Sequence, residues 1–366
     1  MQNSFRKSML INLSLLVSLF YGQYAFAEEV KVKKDIKSEF IYRSPEERRE
    51  AGLKTELTDW LTFSGLVEIE RVNEKSIYVS DIPDIEIDDD TEVLQLGFEI
   101  EFTDNIQAVF VYEFERDELD NTNSMIEEVV LIIEIDNFEI EAGRQTVPFG
   151  EYYSHFITDP SLSFGEKLDD NIVLTYEASD YVDIAIFVSE GNASKAGEKT
   201  RDWGLNLELR NEEESIKVSV GYLSDLADTD EQLLFDFNNI YQERVPAWNM
   251  NALLGFDNFE ITAEIVEALD SFVELDRTID RPSAFNIELA YFPIPEIQIA
   301  IRSETSKELE DAPEKQYGIS TTVVFARSMT VSVEYLTGSY KDNFVFDDDS
   351  PFDKIETFAF QFAFAF

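Results

Sequence analysis

From Trp60 onward, apolar and polar residues alternate with a period of two. Leu61, Phe63, Val67 and Ile69 alternate with Thr62, Ser64, Glu68 and Glu70. Leu94, Leu96, Phe98, Ile100 and Phe102 alternate with Gln95, Gly97, Glu99 and Glu101. The chain ends on Phe358, Phe360, Phe362, Phe364 and Phe366, separated by Ala359, Gln361, Ala363 and Ala365. Alternation over about ten residues predicts a strand with one apolar and one polar face. Sixteen such segments are found, near 60–71, 92–103, 106–115, 125–136, 138–145, 170–178, 181–189, 201–210, 215–223, 246–256, 258–266, 282–292, 296–303, 317–326, 329–337 and 355–366.

The connections between them alternate in length. Thr103-Asp104-Asn105, Asp136-Asn137, Ser179-Asp180, Asn211 to Glu214, Asp257-Asn258, Pro293 to Pro295 and Arg327-Ser328 are tight turns. Longer polar connections lie at 72–91, 144–169, 224–245, 267–281 and 338–354. A soluble sandwich also uses alternating strands, but it does not require this short–long rhythm. Nor does it require aromatics at strand ends, where Trp60, Phe102, Phe114, Trp203, Trp248, Phe256, Tyr291, Phe325 and Tyr335 fall. A tilted strand of about ten residues crosses a bilayer, and lipid tolerates no open sheet edge. The pattern therefore predicts an all-β fold, an antiparallel transmembrane barrel of about sixteen strands.

The N-terminus supplies the address. Arg6 and Lys7 precede an apolar stretch from Met9 to Tyr21, and Ala25-Phe26-Ala27 reads as a cleavage site, so 1–27 is expected to be a secretory signal peptide. Residues 28–59 are charged, and Ser44-Pro45-Glu46-Glu47 forms a capping box that predicts a short periplasmic helix from about Pro45 to Leu57. That segment would be either a plug or a solvated tether. The barrel is expected over 60–366, in a bacterial outer membrane, facing lipid and lipopolysaccharide. Phe366, closing an aromatic strand, is the type of end that the outer-membrane assembly machinery reads.

Composition then narrows the function. Asp and Glu number 76 against 29 Lys and Arg, for a net charge of -47, which argues against nucleic-acid binding. Acidity of this order often means disorder, but 30 Phe, 15 Tyr and 3 Trp require a large apolar surface. With the apolar face outward, Glu99, Glu101, Glu113, Glu128, Glu139, Glu141, Glu260 and Glu264 point inward, with Arg302 among the few basic residues there. Sixteen strands enclose an aqueous channel, so a wet, cation-preferring pore follows, whether the acidity is tuned to a solute or is a general habit of the surface. Arg71 and Arg144 have outward parity at the upper ends of their strands. They would meet lipopolysaccharide phosphates there unless a bulge turns either one inward.

The long connection after residue 143 is rich in aromatics, Pro and Gly, and so is expected to be ordered. It either folds into the mouth and narrows it, or packs outside on its neighbours. In the first case Phe149, Tyr152, Tyr153 and His155 contact a solute, and Asp159 and Glu166 belong to the same constriction. The run Ala142-Gly143-Arg144-Gln145-Thr146-Val147-Pro148-Phe149-Gly150, followed by Asp159-Pro160 and Gly165-Glu166, resembles the siderophore porins of the LbtU type. The resemblance is sharpest over 138–171 and looser across the rest of the barrel. It implies passive uptake of an iron–siderophore complex. The Pro-Phe-Gly turn is shared with phosphate-selective porins, whose constrictions must be basic, and this lumen departs from that. The same acidity opposes an anionic siderophore unless bound metal or loop cations offset its charge.

Enzyme chemistry finds no support. His155 is the sole histidine, and Ser154 beside it would point the other way on an extended segment. There is no HExxH and no Gly-rich phosphate loop, so no catalytic residue, metal or cofactor is assigned. Asp88-Asp89-Asp90 and Asp347-Asp348-Asp349 read either as solvated loop residues or as Ca²⁺ or Mg²⁺ ligands. A barrel closed by inward side chains is the remaining structural alternative to a pore, and homo-oligomerisation is left open.

Overall fold

The computed structural model describes residues 54–78, 84–116, 122–195, 198–212, 215–229, 240–241, 243–272, 281–309, 312–326, 328–340 and 352–366. The signal-peptide expectation, most of the expected helix and Asp347–Asp349 lie outside them. The strands are β1 (Thr55–Thr58), β2 (Leu61–Tyr78), β3 (Ile85–Thr103), β4 (Ile106–Arg116), β5 (Thr122–Ile135), β6 (Phe138–Thr146), β7 (Leu168–Ser179), β8 (Val182–Lys195), β9 (Glu198–Arg210) and β10 (Ile216–Leu223). They continue as β11 (Ile240–Tyr241), β12 (Ala247–Phe256), β13 (Phe259–Ala268), β14 (Ser283–Ile294), β15 (Ile297–Lys307), β16 (Lys315–Ala326), β17 (Met329–Ser339) and β18 (Phe352–Ala365).

Sixteen of these form the wall, each antiparallel to its chain neighbours, and β18 pairs with β2 to close the barrel. The alternation sets the two faces. On β14, Phe285, Ile287 and Tyr291 point out while Asn286, Glu288 and Ala290 point in. Trp60, Phe102, Trp203, Phe256, Tyr291 and Phe325 remain exposed on the outer face near strand ends, where amphipathic rings favour the bilayer interface. The short turns need little chain, because Asp136 and Asp257 adopt φ of 54° and 51°, the left-handed conformation that two-residue hairpins demand and Asp tolerates.

At the closure seam Gly65 and Phe366 exchange backbone hydrogen bonds, Gly65 N–H to the Phe366 carbonyl at 2.6 Å and Phe366 N–H to the Gly65 carbonyl at 2.8 Å. A Cβ on Gly65 would lie 2.4 Å from Phe366 Cζ, so the ring lies across the glycine. Below this point β18 has ended, and β1 pairs with Leu61–Phe63 in its place. This corrects the expected helix at its C-terminal end. Thr55–Thr58 is extended because the open edge of β2 offers backbone partners that a helix could not use.

Two more expectations change. The segment 72–91 is largely strand, since β2 runs to Tyr78 and β3 starts at Ile85. Their outer faces are joined by Arg71 to Asp90 (2.5 and 2.6 Å), by Lys75 to Asp84 (2.8 Å) and by Asn73 to Asp88 (2.8 Å). Asp88 and Asp90 therefore share a face that Asp89 does not, and among the described residues no acidic group converges as a metal site. Arg71 Nε and Nη2 are engaged by Asp90 in a bidentate pair on the outer face. On β5 a bulge opposite Val111/Tyr112 skips Glu127, and Arg144 Nε donates to the nearby Ile126 carbonyl at 2.9 Å. Gly143, beside it, has φ 149°. Any Cβ there would fall 1.8 Å from the Val129 carbonyl oxygen.

Candidate functional site

The connection between β6 and β7 lies inside the barrel. Its stem is apolar: Val147, Phe149, Leu162 and Phe164 pack against the inward Val173 and Phe187 of β7 and β8, Leu223 of β10 and Val266 of β13. Leu226 and Ala227, from the connection after β10, join the same cluster. Full burial of Phe149 contributes on the order of 2–3 kcal/mol to holding the stem. Pro148 sits in a three-residue turn, with Phe149 N–H donating to the Val147 carbonyl at 2.8 Å. Gly150 follows because the Tyr152 ring folds back over it, 2.5 Å from where a Cβ would be.

Beyond the stem the loop crosses to the far wall and is held there by glutamates that accept from its backbone. Glu264 accepts from the N–H groups of Glu151 (3.0 Å) and Tyr152 (2.9 Å). Tyr152 has φ 47°, and the successive N–H groups of Glu151 and Tyr152 converge on one anion. Glu288 accepts from the His155 N–H at 2.7 Å and from Ser154 Oγ at 2.9 Å. Glu334 accepts from the N–H groups of Ile157 (2.5 Å) and Thr158 (3.0 Å), and Glu304 from Ser161 N–H at 2.9 Å. Each carboxylate thereby satisfies amides that an irregular buried segment would otherwise leave unpaired.

His155 and Arg302 meet these carboxylates with their side chains. His155 Nδ1 lies 2.9 Å from Glu288 and Nε2 lies 3.0 Å from Glu260, with its side chain fully buried. Arg302 Nε donates to Glu288 at 2.8 Å, and its guanidinium covers the Phe156 ring at 4.3 Å. The return limb ends on Lys167, which is buried among Asp202 (2.8 Å), Asp228 and Asp169 (3.5 Å). Burial opposes charging of Lys167, but Asp202 and Asp228 outweigh it and hold its pKa above the ordinary lysine value.

The sequence-expected residues thus divide into two groups. Glu260, Glu264 and Arg302 stand behind the loop and are buried by it, so they act as its anchors instead of lining a channel. Phe149 and His155 are likewise buried in its contacts, whereas Tyr152 and Tyr153 are half-exposed and Glu151 and Asp159 are exposed. Glu166 is half-exposed at the end of the 3₁₀ turn Ser161–Gly165. Glu99, Glu101, Glu113, Glu128, Glu139 and Glu141 project inward from β3–β6, away from the docking wall, and stay solvent-accessible. Glu99 is bridged by Lys54 at 2.6 Å and Glu113 accepts from Gln95 at 2.8 Å.

Sequence reading missed the lumenal core and the anchoring by Glu288, Glu304 and Glu334. A signal for the core was present. Ala185 and Phe187 are apolar at positions where the alternation calls for polar residues, as are Leu223 and Val266.

The fold is that of the bacterial outer-membrane porins, and the exposed apolar outer face suits the barrel to a lipid bilayer. Similar solved structures include OmpF of Salmonella typhi, at 13% identity and a TM-score of 0.59, covering 85% of this chain and 100% of that one. The outer-membrane channel DcaP of Acinetobacter baumannii has 14% identity and a TM-score of 0.57 over 86% and 99% of the two chains. OprB of Pseudomonas putida has 9% identity and a TM-score of 0.60 over 84% and 94%. No protein-family model matches the chain. No curated protein sequence matches it either.

Proposed function

We propose that this chain is a passive, cation-preferring uptake pore, and that iron–siderophore complexes, the solutes implied by the resemblance over 138–171, are its specific cargo. The observation that carries this reading is the eccentric interior. The loop is fastened to β13–β17 and leaves the inward carboxylates of β3–β6 facing water. Basic inward residues near β8–β10 are already matched, Lys217 by Glu151 (3.0 Å) and Glu208 (3.1 Å), and Arg210 by Glu208 (3.0 Å) and Asp183. A net negative lumenal field raises the local concentration of cations and slows anions.

A general cation-preferring porin without a specific ligand is the second reading. It is favoured by the spread of the acidic residues over four strands, with no convergence on one point. The test is reversal potential across a planar bilayer under a KCl gradient, with and without ferric siderophores. Cation selectivity with siderophore-dependent block supports the first reading, and selectivity without block leaves the second. Absence of conductance would overturn both.

A further inference from the structure

The side chain of His155, midway along the lumenal loop, bonds to two carboxylates on different strands, Glu260 of β13 and Glu288 of β14. A neutral imidazole carries one N–H, so with both carboxylates ionised the two contacts are hydrogen bonds only in the imidazolium. The surrounding charges fit that form. Glu260 and Glu288 are balanced by His155 and the buried Arg302 of β15, with Glu304 of β15 and Glu334 of β17 occupied by other amides of the loop. From β16, Ser320 Oγ donates to the His155 carbonyl at 2.9 Å. Tyr153 of the loop completes the shell, with its hydroxyl 2.7 Å from Glu260 Oε1 and 2.9 Å from His155 Nε2.

We propose that His155 is a positioning residue whose protonation state sets the loop in the lumen. As imidazolium it fastens Tyr153–Phe156 to β13 and β14. Its deprotonation turns the Tyr153 hydroxyl toward Nε2, withdraws two donors from Glu260 and loosens the constriction. The proton leaves to solvent, and Glu260 and Glu288 are left with Arg302 as their neighbouring buried cation. Burial by itself disfavours the charged ring, but Glu260 and Glu288 outweigh it, and the pKa lies above the ordinary histidine value. The docked loop is thus fully stabilised below about pH 6.5, and that contribution is lost as pH rises through the raised pKa.

The effect on current rests on the pore reading, whereas the effect on the loop does not. The ring of the sole histidine gives one set of nuclear magnetic resonance signals in the refolded full chain. Both ring nitrogens are expected to be protonated at pH 7, with a midpoint above 6.5. A neutral tautomer at pH 7, or a midpoint at or below 6.5, overturns the proposal. Proteolytic nicking within 151–160 should rise through the same midpoint in the native chain and be pH-independent there in H155Q. A nicking step that persists unchanged in H155Q overturns it. Should H155Q fail to fold, E260Q decides: its histidine midpoint should fall by about one pH unit, a tenfold change in proton affinity, and an unmoved midpoint overturns the proposal. Single-channel conductance should rise through this midpoint. Channels lacking any pH step overturn the coupling, whereas a chain with no conductance at any pH removes the pore reading and leaves the loop proposal to resonance and nicking.

Discussion

Glu288 receives the lumenal loop twice through one residue, from the His155 backbone N–H at 2.7 Å and from its ring Nδ1 at 2.9 Å. The same carboxylate neutralises the buried Arg302. Glu288→Ala therefore leaves a guanidinium without its nearest counter-charge and frees the loop at its midpoint. Breaking a buried pair in this way costs about 3–5 kcal/mol. We expect a lower unfolding temperature, followed by gel-mobility shift on heating, and noisier, larger single-channel currents. Unchanged currents would show that the loop holds its place without this anchor.

Lys167 locks the opposite end of the loop. Lys167→Met keeps most of the volume but leaves Asp202 and Asp228 buried without their cation, at a cost of about 3–5 kcal/mol. Because the pKa of Lys167 is raised, its contribution is complete below the ordinary lysine value of about 10.4 and is lost only as pH climbs through the higher folded value. The native barrel should thus show no lysine-linked loss of stability between pH 7 and 10, and the stability gap to Lys167→Met should be constant over that range in urea titrations.

Closure of the barrel depends on a missing side chain. Gly65→Val places carbon where the Phe366 ring lies, 2.4 Å from Cζ. The ring must leave, and the contact it makes with Phe63, centroids 6.0 Å apart, goes with it. Crowding of this type costs about 1–3 kcal/mol. Refolding yield into lipid vesicles should fall for Gly65→Val, and the double variant Gly65→Val/Phe366→Ala should recover part of it.

Selectivity should follow the open wall and not the docking wall. Replacing Glu113, Glu128 and Glu139 together with Gln is expected to lower the cation-to-anion permeability ratio, read from reversal potentials. The difference should shrink at 1 M salt, where the Debye length is about 3 Å. An unchanged ratio would place the selective charges elsewhere.

The barrel itself was legible in the sequence. Alternation located all sixteen wall strands and the aromatic ends, because period two is a local consequence of strand geometry and lipid forces one face apolar. Its errors fell where local pattern gives no warning. Thr55–Thr58 follows a helix signature yet pairs with β2, because only closure creates the edge it fills. Glu260, Glu264 and Glu288 carry the same inward parity as Glu99 and Glu113, and nothing in the sequence separates an anchor from a wall residue. That separation was made by the path of the loop, which brings Glu151 against Glu264 and Thr158 against Glu334 across more than a hundred residues. The sequence by itself determined which face of each strand meets lipid. Only the tertiary structure decided which carboxylates meet backbone amides and which meet water, because that depends on contacts distant in the chain.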